Sequence, residues 1–179
     1  TSVAFAGLTV MFVPFLADSF GYDATTAALF LAYIGALGIL NQGVLVGRLS
    51  RAFGVARVVR GGVASLFAAL FLLAAAPLAG TAPIGLGPEW ITGGLVALLA
   101  FGALASFGNG AITVGLAALV SESATADTQG AAFGVTQAAG SLGRTVGPPL
   151  AAAAYVVVYW SPFVAGALVL IPVAVLLRR

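Results

Sequence analysis

An all-α membrane protein of six transmembrane helices, arranged as a three-plus-three inverted repeat, is the fold class this sequence predicts. Three observations predict it. The chain is 61% hydrophobic and only 7% charged, with a mean hydropathy of +1.16, whereas soluble domains carry roughly 25% charged residues. Its apolar residues fall into six runs of spanning length or near it. The second and fifth runs, each the middle member of a triplet, share a pattern of glycines and paired polar residues, as an inverted repeat requires.

The runs are Val3 to Ala17, Thr26 to Val46, Val58 to Leu78, Ile91 to Val120, Gly130 to Tyr155 and Phe163 to Leu177. With flanking residues the predicted spans cover 1–17, 26–46, 58–78, 91–120, 129–155 and 160–177 of a single bundle over residues 1–179, with a cytoplasmic loop at 47–57. About 20 apolar residues cross a hydrocarbon core as a helix. Strands of a barrel need units of about ten residues with alternating hydropathy, and no such alternation is present.

The connections carry turn chemistry. The stretch Asp18 to Asp23 closes the first span, and Asp23 before Ala-Thr-Thr is a favourable N-cap for the second. Gly80 to Pro88, with prolines 83 and 88 and glycines 80, 85 and 87, breaks the chain between spans three and four. Ser121 to Thr128 joins spans four and five. Tyr159, Trp160 and Pro162 join five and six, with aromatics suited to a membrane interface.

Charge sets the expected orientation. All seven basic residues are arginine. Arg48, Arg51, Arg57 and Arg60 lie between spans two and three and Arg178 and Arg179 in the tail, whereas Asp18, Asp23 and Glu89 lie in the odd-numbered loops. The positive-inside rule then places the 48–60 loop and the C-terminus in the cytoplasm, with the protein multi-pass in the cell membrane. The chain opens Thr-Ser-Val without an initiator methionine or a signal peptide, so it is expected to be a fragment or a processed piece.

The absent residue types exclude several functions. With no histidine and no cysteine there is no imidazole base, thiolate nucleophile, Cys/His metal site or disulfide, so no cofactor, no metal and no enzymatic activity are expected. A dispersed net charge of +2 offers no nucleic-acid surface. No Asp or Glu lies deep in a span, so proton coupling would have to come from a partner half or from Asp18 at the outer end of span one, or be absent.

Residues Gln129 to Pro149 are the most unusual stretch, with glycines at 130, 134, 140, 143 and 147 around Arg144, a charge deep within an apolar run. At 1.5 Å per residue, Arg144 stands roughly 22 Å of helix from Gln129 and roughly 16 Å from Tyr155. That is near the middle of a core about 30 Å thick. A charge at that depth faces the bundle interior or water. Two roles are open: an anion-binding or gating arginine on a translocation path, or a structural donor to carbonyls freed by Pro148 and Pro149 or to Asn41 and Gln42. Pro148 and Pro149 remove the amide bonds to the carbonyls of Arg144 and Thr145, so a hinge or a static kink is expected there.

Span two echoes this with Gly35, Gly38, Gly43, Gly47 and Asn41-Gln42, against Thr136-Gln137 in span five. The pairs Gly43/Gly47 and Gly143/Gly147 allow close helix approach, and the two glycine faces are expected to pack together and against a partner domain. Asn109 and Thr113 share one face of span four, and Gln137, Ser141 and Arg144 share one of span five. These faces line a midplane cavity or form interhelical hydrogen bonds. Glu122 and Asp127 are expected to pair with Arg48 or Arg51 as a cytoplasmic latch.

Two motifs carry a resemblance. The stretch GRLSRAFGVAR from Gly47 to Arg57 resembles the glycine-and-arginine loop motif of the major facilitator superfamily. Gly47, Ser50, Arg51, Phe53, Gly54 and Arg57 match, and Arg51 stands where the fuller first-half version has an acidic residue. Gly140 to Pro149, GSLGRTVGPP, is similar to the "LGR, two residues, GP" signature frequent in the fifth helix of second halves. The chain thus resembles the C-terminal six-helix half of a drug-efflux or general metabolite member. The resemblance implies secondary active transport of a small-molecule substrate by alternating access, with membrane lipid and an N-terminal six-helix half as partners. A half-size protein forming a homodimeric carrier or channel is the alternative.

Overall fold

In the computed structural model, residues 1–85 and 91–176 are described. Gly87, Pro88 and Glu89 of the third connection, and Leu177, Arg178 and Arg179 of the tail, lie outside them. The described residues form helical rods: α1 (Ser2–Phe20), α2 (Ala24–Phe53), α3 (Val55–Ala79), α4 (Gly93–Ser123), α5 (Gln129–Val157) and α6 (Ser161–Leu176). Pairing outside helices is limited, among these residues, to one antiparallel bridge between Pro83 and Thr92.

Helix ends follow local chemistry. Gly21 ends α1 in the left-handed conformation (φ 67°), its N–H donating to Ala17 O at 3.0 Å. The Asp23 carboxylate caps α2 by accepting from Thr26 N–H at 2.8 Å, and Thr92 caps α4 through Leu95 N–H at 3.2 Å.

Four rods, α1 to α4, are long and apolar enough to cross a membrane by length and composition. α5 has 29 residues but is not one of the four, because its Thr, Gln, Ser, Arg and glycine content dilutes the apolar run. α6, at 16 residues, falls short by length alone.

The predicted loop at 47–57 is corrected. Gly47, Arg48 and Arg51 lie on α2, which continues to Phe53 without a break. Arginine and leucine are good helix formers, and no proline intervenes. The turn is concentrated at Gly54, whose φ of 85° and ψ of 147° suit glycine alone, and Arg57 already belongs to α3. Within α2, residues Asn41–Leu45 form a π-helical turn.

The packing is pairwise. α3 and α4 make the most extensive contact, and α1 packs against α5 and α6, α2 against α4, and α3 against α6. Exchanging α1, α2, α3 with α4, α5, α6 maps α1/α5 onto α4/α2, and α3/α4 onto α6/α1. Backbones approach closely where glycines allow it: a Cβ at Gly108 of α4 would lie 2.7 Å from Leu66 N of α3, and one at Gly7 of α1 2.8 Å from Ala151 Cβ of α5.

The core is aromatic. Phe15 of α1 and Phe163 of α6 meet edge to face at 4.9 Å, and Phe12 of α1 lies 5.4 Å from Phe101 of α4. Interhelical hydrogen bonds supplement it: Ser65 Oγ to Leu104 O (2.9 Å) between α3 and α4, Tyr33 OH to Leu99 O (3.2 Å) between α2 and α4, and Tyr155 OH to Asp18 Oδ2 (2.6 Å) between α5 and α1.

The expected packing of the second and fifth helices on each other does not occur. α2 and α5 form no packed pair among the described residues, because α4 takes one and α1 the other. Gly143 and Gly147 do pack, with Cβ positions 2.9 Å from Ser2 Cβ and 2.5 Å from Val3 O, but against α1. Gly43 and Gly47 face open space.

Candidate functional site

The polar faces read from the sequence meet around a cavity of about 670 Å³ between α1, α4 and α5. Arg144, Gln137, Asn109 and Thr113 line it, as do Gly140 and Pro148. A smaller chamber of about 270 Å³ lies between α1, α2 and α4. Gln42, Gly35, Gly38 and Ser106 line the smaller chamber, while Phe5 and Asn109 border both. Asn109 is therefore a shared wall between the two spaces.

Each predicted residue has a definite place. Arg144 Nη2 donates to Ser141 Oγ one turn back at 3.0 Å, which puts Ser141 behind the arginine rather than on the cavity wall. A guanidinium has five N–H donors, and that bond uses one. Arg144 reaches neither Asn41 nor Gln42, since α5 and α2 are not neighbours. Asn41 is buried at 8% exposure, and its Nδ2 donates to Ser106 Oγ at 3.1 Å, so it clamps α2 to α4 and does not line either chamber. Gln42, beside it on the π turn, packs against Gly110 and reaches the smaller chamber.

The α1 contribution was not singled out from the sequence. Ser2, Phe5, Ala6 and Thr9 line the larger cavity. Their spacing of three, four and seven residues is one helical face, a signal that was present in the chain but hidden inside a run that reads as uniformly apolar. Phe133 and Thr136 on α5 complete the wall. Thr9 and Thr136 hydroxyls are tied to the backbone carbonyls of Phe5 and Ala132, both at 2.8 Å, so they present methyl and oxygen lone pairs to the space.

At the arginine-rich end a cleft of about 620 Å³ brings Glu122 of α4 together with Arg57 and Arg60 of α3 and with Gly54. The latch expected between Glu122 or Asp127 and Arg48 or Arg51 is not formed among the described residues. Arg48 and Arg51 are exposed on α2, Asp127 lies on the α4–α5 turn, and Glu122 lines the cleft with Arg57 and Arg60.

No group of three or more metal-capable side chains occurs among the described residues, and the buried polar side chains there all have partners. What the geometry offers is a half-open polar cavity on one face of a helical bundle, lined by one cationic side chain.

The family model described as Major Facilitator Superfamily matches residues 1–179. The chain belongs to the major facilitator superfamily, and it is a multi-pass membrane protein of a family that carries solutes across membranes. No curated protein and no solved structure matches it.

Proposed function

We propose that the chain is the C-terminal half of a twelve-helix secondary transporter of the drug-efflux and general metabolite kind, moving a small solute by alternating access. The observation that carries the reading is the polar cavity, open on the face of the bundle formed by α1, α2, α4 and α5 and away from α3 and α6. Transporter sites lie near the midplane at the interface of repeats.

The symmetric pairing of α1–α3 with α4–α6 supports the three-plus-three layout. The outer faces of α2 and α5 support an N-terminal half as the partner: Leu29 is 67%, Ile39 76%, Val135 72% and Leu142 66% exposed. Lipid or a second bundle covers such a surface. Arg48, Arg51, Arg57 and Arg60 gathered at one end support a cytoplasmic C-terminus. Pro148 and Pro149, beside the packed Gly143 and Gly147, supply the hinge on which α5 moves with or against α1.

The chain holds no cysteine, so a single introduced thiol is an unambiguous reporter. Thr113→Cys in the complete protein is expected to react with a membrane-impermeant maleimide from either side of the membrane. The two rates are expected to change in opposite directions when the solute gradient is reversed. Equal labelling from both sides without that reciprocity would establish a fixed pore, as expected of a homodimeric channel, and labelling from neither side would remove the aqueous path altogether.

A further inference from the structure

The larger cavity has an uneven chemistry that specifies its ligand. Among the described residues lining it, Arg144 is the only charged side chain, and no carboxylate accompanies it. Its one hydrogen bond goes to a neutral hydroxyl, Ser141 Oγ. The carboxylates of the described residues lie at helix ends and turns, with Asp18 tied to Tyr155 and Glu122 in the cleft beside Arg57 and Arg60. Arg144 is exposed at this half-open cavity with most of its donors uncommitted, and at membrane depth such a charge is costly until an acceptor of opposite charge completes it.

The remaining wall is of two kinds. Asn109, Thr113 and Gln137 offer side-chain donors and acceptors that no hydrogen bond within the described residues occupies, and Phe5 and Phe133 offer aromatic faces. The volume of about 670 Å³ lies within the range of drug-sized sites.

We infer that this cavity binds a small organic anion, its carboxylate or equivalent acid group held bidentately by Arg144 and its apolar body lying against Phe5 and Phe133. The planar guanidinium fork matches a carboxylate in a way that an ammonium does not. Gln137, one helical turn before Ser141, and Asn109 across the space select among anions by hydrogen bonding. The assignment rests on the cavity being the solute chamber, and it adds the charge and shape of the solute.

Three probes of one shape and three charges test it: benzoate, benzamide and benzamidine. Binding is read as the ligand-dependent rise in melting temperature of the complete protein purified in detergent. Benzoate is expected to bind about tenfold or more tightly than benzamide, the scale of a charge-assisted hydrogen-bond pair, and benzamidine not at all. In Arg144→Gln the preference for benzoate disappears, and Arg144→Lys, which keeps charge but not the fork, falls between.

Benzamidine binding as tightly as benzoate, or a benzoate preference that survives Arg144→Gln, overturns the inference. If the three probes are indistinguishable in the wild type and Arg144→Gln lowers the melting temperature without any ligand, the arginine completes a protein contact and the inference is again lost. The transport reading fails separately: benzoate bound in detergent, with Thr113→Cys never reciprocally labelled, would leave an anion site without a carrier.

Discussion

Gly43/Gly47 on α2 and Gly143/Gly147 on α5 are nearly the same motif in sequence, and the fold uses them in opposite ways. On α5 the only buried residues are Gly143, Gly147 and Ala151, a stripe at four-residue steps pressed against α1. On α2 the glycines have nothing of this chain within 4 Å, and the helix is held instead by Phe30, Tyr33, Asn41 and Val46. A small-residue pair permits close approach but does not supply the partner that approaches. The difference separates an internal seam from a face that stays open.

The sharpest way to break the comparison is to fill both pairs. Gly147→Leu drives side-chain atoms into the Val3 backbone, since even a Cβ there would be 2.5 Å from Val3 O. It is expected to lower stability by about 1–3 kcal/mol or more, read as thermal unfolding in detergent. Gly43→Leu is expected to leave unfolding of the isolated bundle unchanged while impairing transport in the complete protein. Equal losses of stability from both would dissolve the distinction.

A comparable effect is expected at the lower end of α2, where the chain turns on a single residue. Gly54→Ala forces a side chain into φ 85°, ψ 147°, and strain of that kind costs about 1–3 kcal/mol. The same substitution at Gly134, in a helical and open position of α5, is expected to be neutral or stabilising, because alanine is the better helix former by about 1 kcal/mol.

Next in size is the polar clamp. Asn41→Ala removes the 3.1 Å bond to Ser106 Oγ that ties α2 to α4, and is expected to cost about 1 kcal/mol, the scale of hydrogen bonds between membrane helices. Ser141→Ala, which removes only the local support of Arg144, is expected to leave stability intact and weaken anion binding. If the two substitutions exchanged effects, the assignment of clamp and site would be reversed.

The smallest effect is at the cap of α2. The Thr26 N–H holds the Asp23 carboxyl below its ordinary range, with a further contribution from the Thr26 side chain. A lowered folded-state value means that the ionised cap stabilises above the ordinary carboxylate pKa of about 3.9, and that this stability is lost as pH falls through the folded value. Asp23→Asn is therefore expected to remove the acid limb of the melting profile between about pH 5 and 3, leaving Arg144→Gln, on the other helix, with the wild-type profile.

The sequence could locate helices because hydropathy is a property of each segment alone. It found the runs and most of their turns, and the two glycine-and-arginine motifs were enough to reach the superfamily. It overlooked the helical continuation from Gly47 to Phe53, where arginines at the membrane surface read as loop, and the Ser2, Phe5, Thr9 face, where an amphipathic pattern is drowned by a uniformly apolar run.

What the chain could not encode segment by segment was lateral choice. Every side of a membrane helix is apolar, so no hydrophobic gradient says which neighbour a given face meets. Only the bundle decided that α5 closes on α1 and not on α2, that Asn41 is consumed by Ser106 while Asn109 faces the cavity, and that Glu122 lines a cleft with the α3 arginines. Arg144, Gln137, Asn109 and Thr113 became one site because three helices, packed glycine to backbone, left a space where their polar faces converge.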